Sequence, residues 1–576
     1  MKLALGVFNS KYVHSSLAPW CLAAAVEQRA PETDCRVLEG TINQPPEKLA
    51  DAMAALDPDA AGFSVYIWNR KATFAAVRRL RQLRPECLIL LGGPEVSYCA
   101  VQMLKALPEA DYILAGEGEE SLPAFCRMLQ EGKRPGRGEL PGLCGRDEKG
   151  IYQSEPAVLT GPAPSPYTDA CLQALGGRIA YIETSRGCPY RCAFCLSGRC
   201  GPVRLLDLEE AKNRILLLAA SGARTIKFVD RTFNASPARA EALWAWMLAE
   251  YGRGIPAGVR LHFEIAGDIL TPRQLELLSA FPDGAVQLEI GLQSFHEPTL
   301  AAIHRRTDCR KLAQNIRLLA KRGNLHLHID LIAGLPLEDY DTFGRSFDTA
   351  FSLRPQMLQL GFLKLLPGAD MREYPDEYPC RYRPEPPYEV IDTPWITAGQ
   401  LDDLRGVEDA VERLYNSGRF LFTVEYLLTA TGWRPFVLFE ALAQSPAAPG
   451  MSLDDYTALV QTAAQNLPGV EPEKLRDALC LDRLAFESGG RLPRCLQRPD
   501  KALKGCRLRL EQKYPRPAGA RRGTALLYGS GQLAWVDCWQ PPHPVTGRRP
   551  VHRASLAQVE SWAAAPGLPI EKGETE

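Results

Sequence analysis

The chain has no run of about 18 or more apolar residues, so nothing in it reads as a membrane span. Its first residues, MKLALGVFNSKYVHSS, have a short apolar run, no small-residue cleavage site and a polar stretch from Asn9 to His14. That excludes a signal peptide and leaves a first β-strand in a protein expected to stay in the cytoplasm. A charge excess is missing too. Lys and Arg number 67 against 68 Asp and Glu, a net charge of −1, which leaves no electrostatic footprint for nucleic acid. Nor is there a disulfide framework. The 17 cysteines are an odd number spread over the whole length, and in a reducing compartment most such residues are small buried apolar groups. Only residues 188–200 are dense in cysteine.

A length of 576 residues predicts two to four domains. Over residues 1–135, apolar runs alternate with helical patterns. KLALGVFN, CRVLEG, AAGFSVYIW, CLILLGGPE and DYILAGEGE read as strands, with amphipathic stretches such as LAPWCLAAAVEQ and ATFAAVRRLRQL between them. Five such units predict an α/β domain with a doubly wound parallel sheet, binding its ligand beyond the carboxyl ends of the strands. Those ends carry Ser64, Gly92-Gly93-Pro94-Glu95 and Gly116-Glu117-Gly118-Glu119. Glycines there let backbone approach a bulky or phosphate-bearing ligand. Ordinary turn chemistry explains each turn equally well, but three on one rim favour a ligand. The full G-x-G-x-x-G of a dinucleotide fold is absent.

Residues 136–177 are rich in Gly and Pro and read as a linker holding a small hairpin. A second series follows over 178–383, with strands RIAYIETS, TIKFVDRTF, RLHFEIAG, AVQLEIGLQS, HLHIDLIAGLP and QMLQLGFLKLLPG. Six strand–helix repeats predict a partial (β/α)6 barrel whose site lies on the carboxyl rim. Residues 384–576 read as a mostly helical C-terminal domain with a late hairpin around Gly529-Ser530-Gly531, and carry no catalytic motif. The basic segment RPDKALKGCRLRLEQKYPRPAGARRG reads as solvated surface.

The stretch SRGCPYRCAFC places Cys188, Cys192 and Cys195 on the loop after the first barrel strand. Thiolates hold iron–sulfur cubes of four irons, so three thiolates leave one iron open to a substrate or cofactor. A closed zinc site with Cys200 as fourth ligand is the competing reading, but such sites usually show two well-separated ligand pairs.

Here the sequence resembles the radical SAM superfamily, whose cluster loop has the same cysteine pattern and an aromatic, here Phe194, before the third cysteine. The resemblance implies a 4Fe-4S cluster on Cys188, Cys192 and Cys195. It also implies S-adenosyl-L-methionine chelating the open iron and cleaved by one electron to methionine and a 5′-deoxyadenosyl radical. By the same resemblance Asp230, in FVDRTFN, stands near the methionine amino group. Gln293 and Ser294, in EIGLQS, approach the ribose and carboxylate. Ile332, Gly334 and Glu338, in DLIAGLPLE, lie on the adenine side, and LKLLPG is the last adenine-contacting strand. Glu264 reads as barrel packing.

Residues 1–135 resemble the cobalamin-binding domain of the B12-dependent members, with Ser64, Gly92, Gly93 and Gly116 as candidate cobalamin contacts. The chain has no Asp-x-His, and His14 reads as structural, so a bound corrin is expected to lack that cobalt ligand. The reaction implied is cobalamin-dependent methyl transfer to an unactivated carbon of a small-molecule substrate. Oxidative cyclisation and methylthio transfer are the alternatives within the superfamily, and a zinc- or cobalamin-binding regulatory protein is the alternative outside it. A methylthiotransferase would need a second cluster in the first domain, where Cys21, Cys35, Cys87, Cys99 and Cys126 are scattered. Flavodoxin or ferredoxin is the reductant expected by analogy.

Overall fold

In the computed structural model, residues 1–199, 201–486, 489–498 and 501–562 are described. The chain divides into two compact units. One comprises residues 1–325, 334–338 and 361–397; the other comprises 326–333, 339–360 and 398–576.

The first unit begins with strands β1 (Lys2–Asn9), β2 (Asp34–Thr41), β3 (Ala60–Ser64), β4 (Leu88–Gly92) and β5 (Tyr112–Leu114), parallel and ordered β2-β1-β3-β4-β5. Side chains of β1 alternate between two apolar layers. Ala4 and Phe8 pack with Leu49, Met53, Val77 and Leu80 on one face. Leu3 and Leu5 pack with Val26, Leu122 and Phe125 on the other. Helices therefore cover both faces, as a doubly wound sheet requires. The hairpin in the 136–177 segment, β6 (Leu143–Asp147) and β7 (Gly150–Tyr152), extends this sheet as antiparallel strands beyond β5. Ala157 then returns to pair with Gly116.

Next comes β8 (Ala180–Ile182) and a short antiparallel ribbon, β9 (Ser185–Arg186) with β10 (Arg204–Leu205), which forms the stem of the cysteine loop. Strands β11 (Thr225–Phe228), β12 (Arg260–Ile265) and β13 (Val286–Gln293) continue a parallel sheet in the order β8-β11-β12-β13. Behind it Phe228, Phe233, Phe263 and Trp244 form a buried aromatic core.

The second unit holds β14 (His326–Ala333), residues 357–360 of β15 (Met357–Phe362) and the helix Tyr340–Ser352. Phe347 and Phe351 of that helix pack on Phe439, which explains why a barrel helix clusters with the carboxy-terminal helices. From Ala398 the unit is mostly helical, ending in an antiparallel sheet of Arg522–Leu527, Gln532–Asp537 and His552–Ser555, whose first turn is the expected hairpin. No helix among the described residues is long and apolar enough to cross a membrane.

Candidate functional site

In the order β2-β1-β3, the connections leaving β1 and β3 run to opposite sides, and a crevice opens at their carboxyl ends. A cavity of about 740 Å³ lies there. Ser64, Gly92, Gly93 and Gly116 line it from the N-terminal sheet, and Arg186, Gly187, Leu196 and Ser197 line it from the cysteine loop and its stem. Tyr66 and Trp68 stack at its wall, ring centroids 4.5 Å apart. The glycines owe their identity to backbone crowding. Gly93 has φ +110° and a Cβ there would lie 2.5 Å from the Val65 carbonyl oxygen. Gly116 has φ +86° and would meet that of Ala157. His14 also lines the cavity, and its Nδ1 lies 2.6 Å from the Tyr181 hydroxyl. Burial lowers its pKa.

The cysteine loop hangs from the β9–β10 stem, and each thiol has a polar neighbour. Cys188 Sγ is 3.6 Å from Thr232 Oγ1, and Cys195 Sγ accepts from the Ser197 amide at 3.4 Å. Cys192 is buried, which raises its pKa, while Arg305 pulls the other way with Nη1 donating to its Sγ at 3.6 Å. Arg305 Nη2 donates to the Gly291 carbonyl of β13, and its guanidinium sits 5.6 Å from the Tyr190 ring. Arg305 was not legible as a site residue. It lies in IHRRTD, where nothing in the local pattern separates it from a surface arginine.

The other expected contacts fall into three groups. Asp230 is 1% exposed and does not line the cavity. Its carboxylate accepts from the Thr184 amide (2.9 Å), the Thr184 hydroxyl (2.7 Å) and the Ser185 hydroxyl (2.6 Å). It thereby ties the end of β11 to the root of the cysteine loop. Burial pushes its pKa up to about 6 against those hydrogen bonds. Ser294 and Glu338 are buried together, the Ser294 hydroxyl donating to Glu338 Oε1 at 2.6 Å. Gln293, at φ +76°, keeps a buried Oε1 with no hydrogen-bond partner, an acceptor suited to a ligand hydroxyl. Gly334 has φ +87°, and a Cβ there would meet Val390. Ile332 is half-buried on β14 in the second unit. Cys200, the fourth ligand of the zinc reading, lies outside the described residues.

The donor set fits an iron–sulfur cluster: three thiols on one loop, with N–H groups aimed at two of their sulfurs. The cavity, about 740 Å³, is bordered by glycine turns whose backbone can approach a bulky ligand. The family model of the B12 binding domain matches residues 4–126, and that of the radical SAM superfamily matches residues 182–350. The chain thus carries a B12-binding domain and a radical SAM domain. A third model, described as a protein of unknown function (DUF4080), matches residues 376–513.

Two relatives match a little over half of the chain. The 2-(S-pantetheinyl)-carbapenam-3-carboxylate methyltransferase of Streptantibioticus cattleyicolor is 28% identical over 56% of this chain and 50% of its own length. The cobalamin-dependent radical SAM methyltransferase TokK of Streptomyces tokunonensis is 26% identical over 60% and 52%. The chain thus spans about half the length of these relatives. Among solved structures, the cobalamin-dependent S-adenosylmethionine radical enzyme OxsB, with aqua-cobalamin and S-adenosylmethionine bound, superposes with a TM-score of 0.59 at 14% identity, over 83% of this chain and 78% of its own. The radical S-adenosylmethionine methyltransferase TsrM from Kitasatospora setae, with cobalamin and a 4Fe-4S cluster bound, gives 0.54 at 18% identity, over 64% and 73%. At these identities both show a shared fold.

Proposed function

We propose that the protein is a cobalamin-dependent radical SAM methyltransferase that alkylates an unactivated carbon of a small molecule in the cytoplasm, reduced by a flavodoxin or ferredoxin. The observation that carries this reading is the single cavity lined by both the glycine turns of the N-terminal sheet and the cysteine loop. A methyl donor and a radical source have to share one substrate-sized space, and this cavity is lined by the glycine turns and by residues flanking the three cysteines. When bound, S-adenosyl-L-methionine on the cluster supplies radical chemistry and cobalamin supplies a transferable methyl group.

The chain's own residues bind, orient and shield. Cys188, Cys192 and Cys195 would hold the iron–sulfur cluster. Arg305, beside Cys192, offers a cation to the carboxylate of a chelating amino acid. Gln293 offers its free oxygen to a ribose hydroxyl. Gly334 keeps the chain close beside Val390 on the adenine side. Asp230 fixes the root of the loop. Ser64, Gly92, Gly93 and Gly116 present backbone to the corrin, and Tyr66 and Trp68 wall it from water. His14 faces Tyr181 through Nδ1.

A methylthiotransferase finds less support. Among the five N-terminal cysteines Cys35 and Cys126 lie near each other, the five are not gathered on one loop, and burial raises the pKa of each. Cys35 and Cys87 reach about 12, Cys99 and Cys126 about 11. Buried thiols held protonated and not gathered on one loop give little support to a second cluster. The test is product analysis. Reconstituted protein, given methylcobalamin, labelled S-adenosylmethionine and candidate substrates, should release 5′-deoxyadenosine and transfer label to carbon. Ring closure without label transfer would move the reading to a cyclase. No cleavage under any condition would remove the enzyme reading.

A further inference from the structure

The two strands of the cysteine-loop stem pair Arg204 directly opposite Arg186. Like charges facing each other across a two-stranded ribbon are destabilising. A free-standing ribbon of this sequence would splay apart, and its loop carries the three cysteines. Glu117, from the turn after β5 of the B12-binding domain, resolves the conflict. Arg204 Nη1 donates to Glu117 Oε2 at 2.9 Å, and Arg186 Nη1 lies 3.5 Å from the same oxygen. The Leu159 amide also donates to it, at 2.5 Å. Arg186 Nη2 further donates to Glu119 Oε1 at 2.8 Å and to Glu183 Oε2 at 2.7 Å. The side chains of Arg186, Glu117 and Glu119 are 20%, 15% and 6% exposed, dry enough for the network to resist screening.

A second tie runs from the far side of the loop. The Met371 amide donates to the carbonyl of Ala193, between two of the cysteines, and Arg199 pairs with Asp370 at 2.5 Å. The same segment packs Gly368 against Tyr98, after β4. It also sends the Tyr388 hydroxyl to Glu95, which pairs with Arg70 at 3.3 Å. Both ties end on turns of the B12-binding sheet that border the cavity.

We propose that Glu117 is a positioning residue: it clasps the two stem arginines and so sets the position of the iron–sulfur loop relative to the corrin side of the cavity. The GEGE turn then serves as a lock between two cofactor sites. This inference rests on the two-cofactor reading above for its consequence, though not for the lock itself.

The lock is tested first without cofactors, by hydrogen exchange on the full-length protein. Glu117→Gln should speed exchange of the amides of residues 187–199 about tenfold while β1 and β12 keep their protection. Unchanged exchange in that loop would overturn the lock. If Glu117→Gln does not fold, Glu119→Gln, which removes one carboxylate and leaves Glu117 in place, carries the same comparison. The consequence is then read on loaded protein by the magnetic coupling between cob(II)alamin and the reduced cluster. Glu117→Gln should keep its iron and its corrin but show a broadened coupling, which Glu117→Asp restores in part. A coupling as narrow as the wild type's would overturn the positioning role. A wild type that retains no corrin would defeat the two-cofactor reading instead, with the exchange result still deciding the lock.

Discussion

Each unit buries charge around arginine, and the two do so to different ends. In the second unit Asp482 is 0% exposed and fully engaged. It accepts from the amides of Phe422 and Thr423 (2.9 and 2.8 Å), from the Thr423 hydroxyl (2.8 Å) and from Arg548 (3.1 Å). Thr423 is buried with it, and the Arg548 side chain is 12% exposed. In the first unit Arg186, Arg204, Glu117 and Glu119 join segments far apart in sequence, and three of the four line the cavity. A sealed pair fixes a fold, because removing one partner strands a charge. An ion network on a cavity wall fixes where two loops stand. Reading function from buried charge therefore needs the cavity as well as the pair.

The sharpest break of that contrast is at the thiols. Cys192→Ala should drop reconstituted iron from about four per chain to near zero, with the second unit's melting unchanged, as read by iron assay and calorimetry. Next comes the sealed pair. Asp482→Ala strands Arg548 and should cost about 3–5 kcal/mol in denaturant unfolding, with little effect on iron content. Asp230 lies between the two cases, a sealed carboxylate at the root of the functional loop. Its folded pKa of about 6 lies above its ordinary 3.8. Its contribution to stability is therefore full below pH 4 and is lost as pH rises through 6, by roughly 3 kcal/mol. Asp230→Asn should abolish that slope. It should also cost ~1–3 kcal/mol at low pH, because the new amide faces the Thr184 N–H. The smallest effect is expected at Arg305. Arg305→Gln should keep the cluster but weaken S-adenosylmethionine binding about tenfold, measured by the perturbation of the cluster's EPR signal.

Local signals carried much of the architecture into view from sequence. The apolar runs of β1, β3 and β4 could be read because both faces of the sheet are covered, so all their residues but Lys2 and Gly92 are buried. The cysteine loop could be read because three thiols in eight residues have few explanations. Residues whose meaning lies in distant partners stayed hidden. Glu117 and Arg204 are 87 residues apart, and Tyr388 and Glu95 are 293 apart. No local pattern announces either pair. The hairpin at residues 143–152 could be suspected, but the sheet edge it joins could not. Asp230 is a further case: its carboxylate is held by donors of Thr184 and Ser185, 46 and 45 residues away. The glycines at 93 and 116 were noticed for a ligand's sake and are required first by neighbouring backbone.

The most direct test of the central claim is the cofactor content of the desalted protein after anaerobic cluster reconstitution and incubation with cobalamin. About four irons and one corrin per chain, with both sets of absorbance bands retained, are the predicted result. A cluster without retained corrin would contradict it, leaving a radical enzyme whose first domain serves another ligand. Stoichiometric zinc with no cluster absorbance would contradict the radical reading as well.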